Sequence, residues 1–279
     1  MTKIKLLSLF VILMALAALF QYRYDSGTDY FAEKNVFVTM PSGKTLKILS
    51  FGFHELTADM LFVWSIQFYS TYNLNNRFDY LENIFNAITD LEPRYKDFYI
   101  VGSWIMALEA KDIEMAIRLL EKGSRNMPDQ WIFDYEASFY AYRNLKDYDR
   151  AVKYLRAAAQ RPGAPSLIRR KEAHLIYMKD DLSQAYGMWV EIYNNATSQL
   201  DKDAAFKHLY QIKFEMDKKM LDKALEQFKQ KYTRRPADLA QLVRAGLLKN
   251  VPLDFTGQNY LYDPQTGEIS AIRMFKWKK

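Results

Sequence analysis

Three stretches of this chain repeat one pattern at a nearly constant interval, and no other feature of the sequence restricts its folding as much. The pattern reads Asp112-Ile-Glu-Met-Ala116-Ile-Arg-Leu-Leu120, then Asp147-Tyr-Asp-Arg-Ala151-Val-Lys-Tyr-Leu155, then Asp181-Leu-Ser-Gln-Ala185-Tyr-Gly-Met-Trp189. Its alanines lie 151 − 116 = 35 and 185 − 151 = 34 residues apart, and Pro93, Pro128 and Pro162 keep the same intervals. A period of this length marks an array of supersecondary units, each burying its apolar face only against its neighbours. The aspartate suits a helix N-cap, the alanine lets a second helix approach, and the large residue four positions on fills the groove beside it. Each proline falls where a second helix must stop. Ahead of every capped helix runs another apolar-periodic stretch, at 98–110, 131–145 and 166–178, so the unit is helix, turn, helix.

This unit resembles that of the tetratricopeptide (TPR) family, in particular its membrane-anchored bacterial members. Gly102, Ala137 and Ala173 are similar to the small residue of the family's first helix, Ala116, Ala151 and Ala185 to its second-helix alanine, and Pro128 and Pro162 to its terminal proline. The resemblance covers residues 94–196. The first two units read as one residue long between their helices, and the third ends without proline in Asn194-Asn-Ala-Thr-Ser198. Degenerate units flank these: 56–70 with 78–91 upstream, with Leu81 in the alanine position, and 202–216 with 220–232 downstream, with Ala224 in register. The expected fold is therefore all-α, a solenoid of about five antiparallel helix pairs over 56–232. The resemblance further implies a concave groove lined by the first helices. Its candidate residues are Tyr99, Ser103 and Met106, then Trp131, Asp134, Ser138 and Tyr142, then Arg170, His174 and Tyr177, a set suited to a partner's peptide or helix.

The ends of the chain are different in kind. After Lys3 and Lys5, an uncharged run of 17 residues, 6–22, reads as a transmembrane helix or as a signal peptide with Ala15-Leu-Ala17 resembling a cleavage tripeptide. In either reading residues 1–5 stay cytoplasmic and the bulk is exported, which in a bacterium means the inner membrane and periplasm. Residues 23–55 form an arm or linker in which Asn35-Val-Phe-Val-Thr-Met40 alternates as a strand before the turn Pro41-Ser-Gly-Lys44. Residues 233–279 read as a cap: a short helix over Arg235–Leu248 ended by Gly246, then two strands joined at Asp263–Gly267. This tail resembles the C-terminal tail of type II secretion pseudopilins, where calcium can bind, but Asp254, Asp263 and Glu268 are too few for such a site.

Composition excludes much chemistry. Zero cysteines remove disulfides and thiolate ligands, and His54, His174 and His208 are too widely separated for a metal motif. No phosphate-binding glycine loop or nucleophile elbow occurs. A formal charge of +6, spread along 279 residues, does not call for nucleic acid. Acidic pairs such as Asp180 with Asp181 stand at helix starts, where capping accounts for them. No catalytic residues, cofactor or metal are assigned. The function expected is a membrane-anchored scaffold in an envelope, export or pilus assembly system. The alternative is a self-associating structural subunit of a filament or secretion machine.

Overall fold

The computed structural model describes residues 3–27 and 35–273, with the side chains of the first helix given over 10–23. Twelve α-helices and one two-stranded sheet are formed by the described residues, which divide into two compact units at Met115/Ala116.

In the first unit, α1 (Lys3–Gly27) precedes an extended arm at 35–42. The arm is extended, as its alternation suggests, but pairs with no strand among the described residues. Instead Asn76 substitutes for a neighbouring strand: Val36 N–H donates to Asn76 Oδ1 at 3.0 Å, and Asn76 Nδ2 donates to the Val36 carbonyl at 2.7 Å. Helices α2 (Gly43–Leu49), α3 (His54–Tyr69), α4 (Leu81–Leu91) and α5 (Lys96–Trp104) follow. Leu81, Ile84, Phe85, Ile88 and Leu91 recur at helical spacing on α4, so its buried face forms the core against which α2, α3 and α5 pack. Among the described residues no helix is long and apolar enough to cross a membrane.

Helix α2 sits on α4 through Gly43. A Cβ built there would meet Asp90 Cβ at 2.1 Å, which is backbone-close contact that no rotamer change relieves. Gly43→Ala is expected to destabilise this unit by about 2 kcal/mol, typical of overpacking, read as a lower thermal midpoint. The adjacent, exposed Lys44→Ala leaves the midpoint unchanged.

The second unit begins within α6 (Ile113–Asn126) and continues through α7 (Ile132–Tyr140), α8 (Tyr148–Ala159), α9 (Ser166–Met178) and α10 (Leu182–Asn194). From α7 to α10 each helix packs on the next. The capping aspartates stand where the repeat places them: Met115 N–H donates to Asp112 Oδ1 at 2.8 Å, Arg150 N–H to Asp147 Oδ1 at 2.9 Å, and Gln184 N–H to Asp181 Oδ1 at 3.0 Å. A left-handed residue, Lys111, Lys146 or Asp180, precedes each of them. Ala116, Ala137, Ala151, Ala173 and Ala185 are all buried.

The surplus in the first two units lies inside the first helix and not between helices. From the small residue to the left-handed residue the count is 111 − 102 = 9 and 146 − 137 = 9, against 180 − 173 = 7 in the third, a surplus of 9 − 7 = 2 residues where one is expected. Both longer helices end in a π-helical segment, Ile105–Glu109 and Ala141–Leu145, which takes up extra residues without breaking the helix.

The expected fifth pair is one helix. Helix α11 runs unbroken over Gln199–Tyr232, 34 residues, because nothing between 202 and 232 is Gly or Pro and Asp217, the capping residue type at the expected break, is engaged by Tyr260 and Lys213. From Tyr210 onward it carries the cap. Tyr210, Leu221, Ala224 and Phe228 pack against Leu239 and Leu242 of the α12 region (α12, Ala240–Arg244) and against Tyr260, Ile269 and Ala271. Strands β1 (Leu261–Tyr262) and β2 (Ile269–Ser270) pair antiparallel, and the Asp263 turn closes with Gly267 N–H on the Asp263 carbonyl at 2.7 Å. The hairpin is thus as expected, whereas the helix before it is shorter than 235–248. The basic residues Lys276, Lys278 and Lys279 beyond Arg273 lie outside the described residues.

Candidate functional site

The ten groove candidates do not form one surface. Tyr99, Ser103, Met106, Asp134, Ser138 and Tyr177 are buried. Tyr99 donates to the Pro93 carbonyl at 3.0 Å and Ser103 Oγ to the Ile100 carbonyl at 2.8 Å. Tyr177 donates to Glu215 Oε1 at 2.7 Å, and burial together with that carboxylate raises its phenol pKa. Asp134 accepts from Ser124 Oγ at 2.9 Å and Arg161 Nε at 3.2 Å. Arg170 pairs with Asp201 at 3.1 Å, and Trp131 sits edge-on to Tyr135.

The reason is geometric. Residues three before or four after the small residue stand on the same side of an α-helix as the small residue itself. That side is where the neighbouring helix comes closest, so Tyr99, Met106, Asp134 and Tyr177 are covered along with Gly102, Ala137 and Ala173. Two positions away, on the opposite side of the helix, Phe139 and Lys171 stay exposed and Tyr135 is half-buried.

That opposite side holds a cleft. Tyr135, Ser138, Phe139 and Tyr142 from α7 and its π segment face Lys171, His174 and Leu175 from α9, with Leu155 of α8 as the floor. Three of the ten expected residues, Ser138, Tyr142 and His174, are among them. The others were missed, although Tyr135, Ser138, Phe139 and Tyr142 recur at i, i+3, i+4 and i+7 and so form a readable helical stripe. The cavity is about 60 Å³. Pockets for small molecules and cofactors are about 300–1,000 Å³, so this one has room for a single inserted side chain.

The cleft is aromatic below and positive at its rim. Lys171 Nζ stands 5.8 Å from the centre of the Tyr135 ring, and the Arg143 guanidinium 5.8 Å from that of Phe139. Behind His174 the aromatic contacts continue inward: its ring centre is 6.0 Å from that of His208 on α11, and His208 stacks on Trp189 of α10 at 4.0 Å and 13°. Burial, then Lys171, lowers the His174 pKa; burial, then His174, pushes His208 down to about 4. Both imidazoles are therefore neutral at pH 7.

A base with a depressed folded-state pKa is protonated more readily when unfolded, so its contribution to stability is complete above about pH 6.5 and declines as pH falls toward 4. We expect the stability of the second unit to fall across that window by roughly 3 kcal/mol in all, read as a lower denaturation midpoint. His208→Gln removes most of this slope, and an unchanged slope would place the acid sensitivity elsewhere.

Among the described residues no group of three His, Asp or Glu side chains could hold a metal ion. The sequence matches no protein-family model and no curated protein.

Proposed function

We propose that this chain is a TPR-like scaffold, tethered by its N-terminal helix, that binds a partner's segment through the cleft between α7 and α9. The observation that carries this reading is the origin of the cleft walls: the first helices of two successive repeat units supply them. An apolar or aromatic side chain of the partner enters between Phe139, Tyr142 and His174, and an acidic neighbour meets Lys171 and Arg143. The tether is supported by the uncharged run 6–22, which lies within the helical span of α1.

The test is site-specific photo-cross-linking in native membranes. A photoreactive residue at Phe139 or Tyr142 is expected to capture one predominant protein, and Lys171→Glu is expected to reduce that adduct about tenfold, the loss of a cation and its replacement by a like charge. The same probe at Lys153, exposed on α8, serves as the control. Capture from Lys153 with none from Phe139 and Tyr142 overturns the assignment of the cleft.

A further inference from the structure

The first unit displays an apolar surface that the cleft does not use. The end of α2, the turn after it and one face of α3 leave Ile48 (76%), Phe51 (86%), Phe53 (68%) and Met60 (65%) largely exposed, with Leu49, Leu56 and Val63 exposed beside them. On α3 the stripe opposes the packed side: Ala58, Ser65 and Phe68 are buried, whereas Leu56, Met60 and Val63 recur at helical spacing on the other face. A helix apolar on both faces has a second apolar environment to enter, and a patch of this extent marks an interaction surface.

The turn holds its aromatic residues outward. Phe51 and Gly52 both take positive φ, 49° and 91°. Phe53 N–H donates to the Ser50 carbonyl at 2.8 Å, Ser50 Oγ donates to the Lys47 carbonyl at 2.9 Å, and Thr57 Oγ1 donates to the Phe53 carbonyl at 2.8 Å. The two phenylalanines are thus presented by a fixed backbone rather than by a loose loop.

We infer that this α2–α3 surface lies in the interfacial layer of the membrane to which α1 tethers the chain, with Phe51 and Phe53 entering among the acyl chains. Chain length supplies the argument for lipid as the occupant. Val36 is pinned to Asn76 and follows the end of α1 by only 36 − 27 = 9 residues. At no more than about 3.5 Å per residue, the arm cannot hold Val36 farther than ~32 Å from that helix end. The charges at the edge are mixed. Lys44 and Lys47 are exposed on α2, and Glu55 and Asp59 on α3. Insertion is therefore driven by apolar burial and is nearly independent of lipid charge, unlike a polybasic patch.

The inference rests on the tether for its chain-length argument, and the experiment separates the two. Because the chain has no cysteine, single-cysteine variants carry one environment-sensitive NBD label each. Full-length protein is reconstituted into phosphatidylcholine vesicles doped with nitroxide-labelled phosphatidylcholine, with or without phosphatidylglycerol. Labels at Phe51→Cys and Met60→Cys are expected to be quenched several-fold with either composition, while a label at Asn83→Cys, exposed on α4 of the same unit, is not. The double variant Phe51→Asp/Phe53→Asp is expected to abolish quenching at Met60→Cys; these side chains are exposed, so the fold is retained, checked by circular dichroism. Absence of quenching at both Phe51→Cys and Met60→Cys overturns the membrane surface whatever else is seen. Absence at Met14→Cys in α1 overturns the tether instead.

Discussion

Asp134→Ala is expected to destabilise the second unit by about 4 kcal/mol, in the range found when one partner of a buried ion pair is removed. The carboxylate lies between helices that the repeat places in different units. It accepts from Ser124 Oγ of α6 at 2.9 Å and pairs with the Arg161 guanidinium after α8 at 3.0 Å. Arg161 also donates to Ser124 Oγ at 2.8 Å and to the Pro128 carbonyl. Alanine leaves the guanidinium without its counter-ion and Ser124 without its acceptor. Asp134→Asn keeps shape and one acceptor, so its loss should be roughly half as large. Urea denaturation with a double-mutant cycle against Arg161→Met measures the coupling, and equal losses for Asn and Ala would show that charge, not shape, decides the site.

Asp254→Ala is expected to cost about 3 kcal/mol, and to do so locally. One carboxylate oxygen accepts from Thr256 N–H and Thr256 Oγ1, each at 2.8 Å, and from Gln258 N–H at 2.9 Å; the other accepts from Tyr210 Oη at 2.8 Å. The residue thus shapes the loop before the hairpin and fastens it to α11. Without it, hydrogen exchange over 250–272 should accelerate by about two orders of magnitude, while exchange in α7 to α9 stays as before. Uniform acceleration throughout the unit would instead mean that the cap is part of one cooperative fold. Burial acts to raise this carboxyl's pKa, but the donors from Gln258, Thr256 and Tyr210 prevail and hold it below the usual value. Its contribution is therefore present above about pH 4 and lost as pH falls through the lower native pKa.

These two carboxylates were met differently by sequence reasoning. Asp254 has the residue type of a calcium ligand, but its four hydrogen bonds give it a structural task. Asp134 was expected to face a partner, and it faces Arg161. In both cases the residue type suggested polarity, but which polar group would lie opposite depended on pieces of chain at least 27 residues away in sequence for Arg161 and 44 for Tyr210.

Elements governed by local physics could be read directly. An aspartate at a helix start needs only the backbone N–H three residues on, so Asp112, Asp147 and Asp181 were recognisable as caps. Proline acts on its own turn, and Asp263 with Gly267 closes a hairpin within five residues. The alanines were legible because close helix approach demands a small side chain wherever it occurs. Tertiary packing decided what such patterns leave open: the two π segments, the fusion of the last helices into α11, and the face that remains open. The helix periodicity of α7 is compatible with several rotations, and only the docking of α8 and α9 selects the one that buries Asp134 and opens Tyr135, Phe139 and Tyr142 to the cleft. The repeat is thus a property of short-range chemistry, while the cleft arises where neighbouring helices leave a side chain's width uncovered.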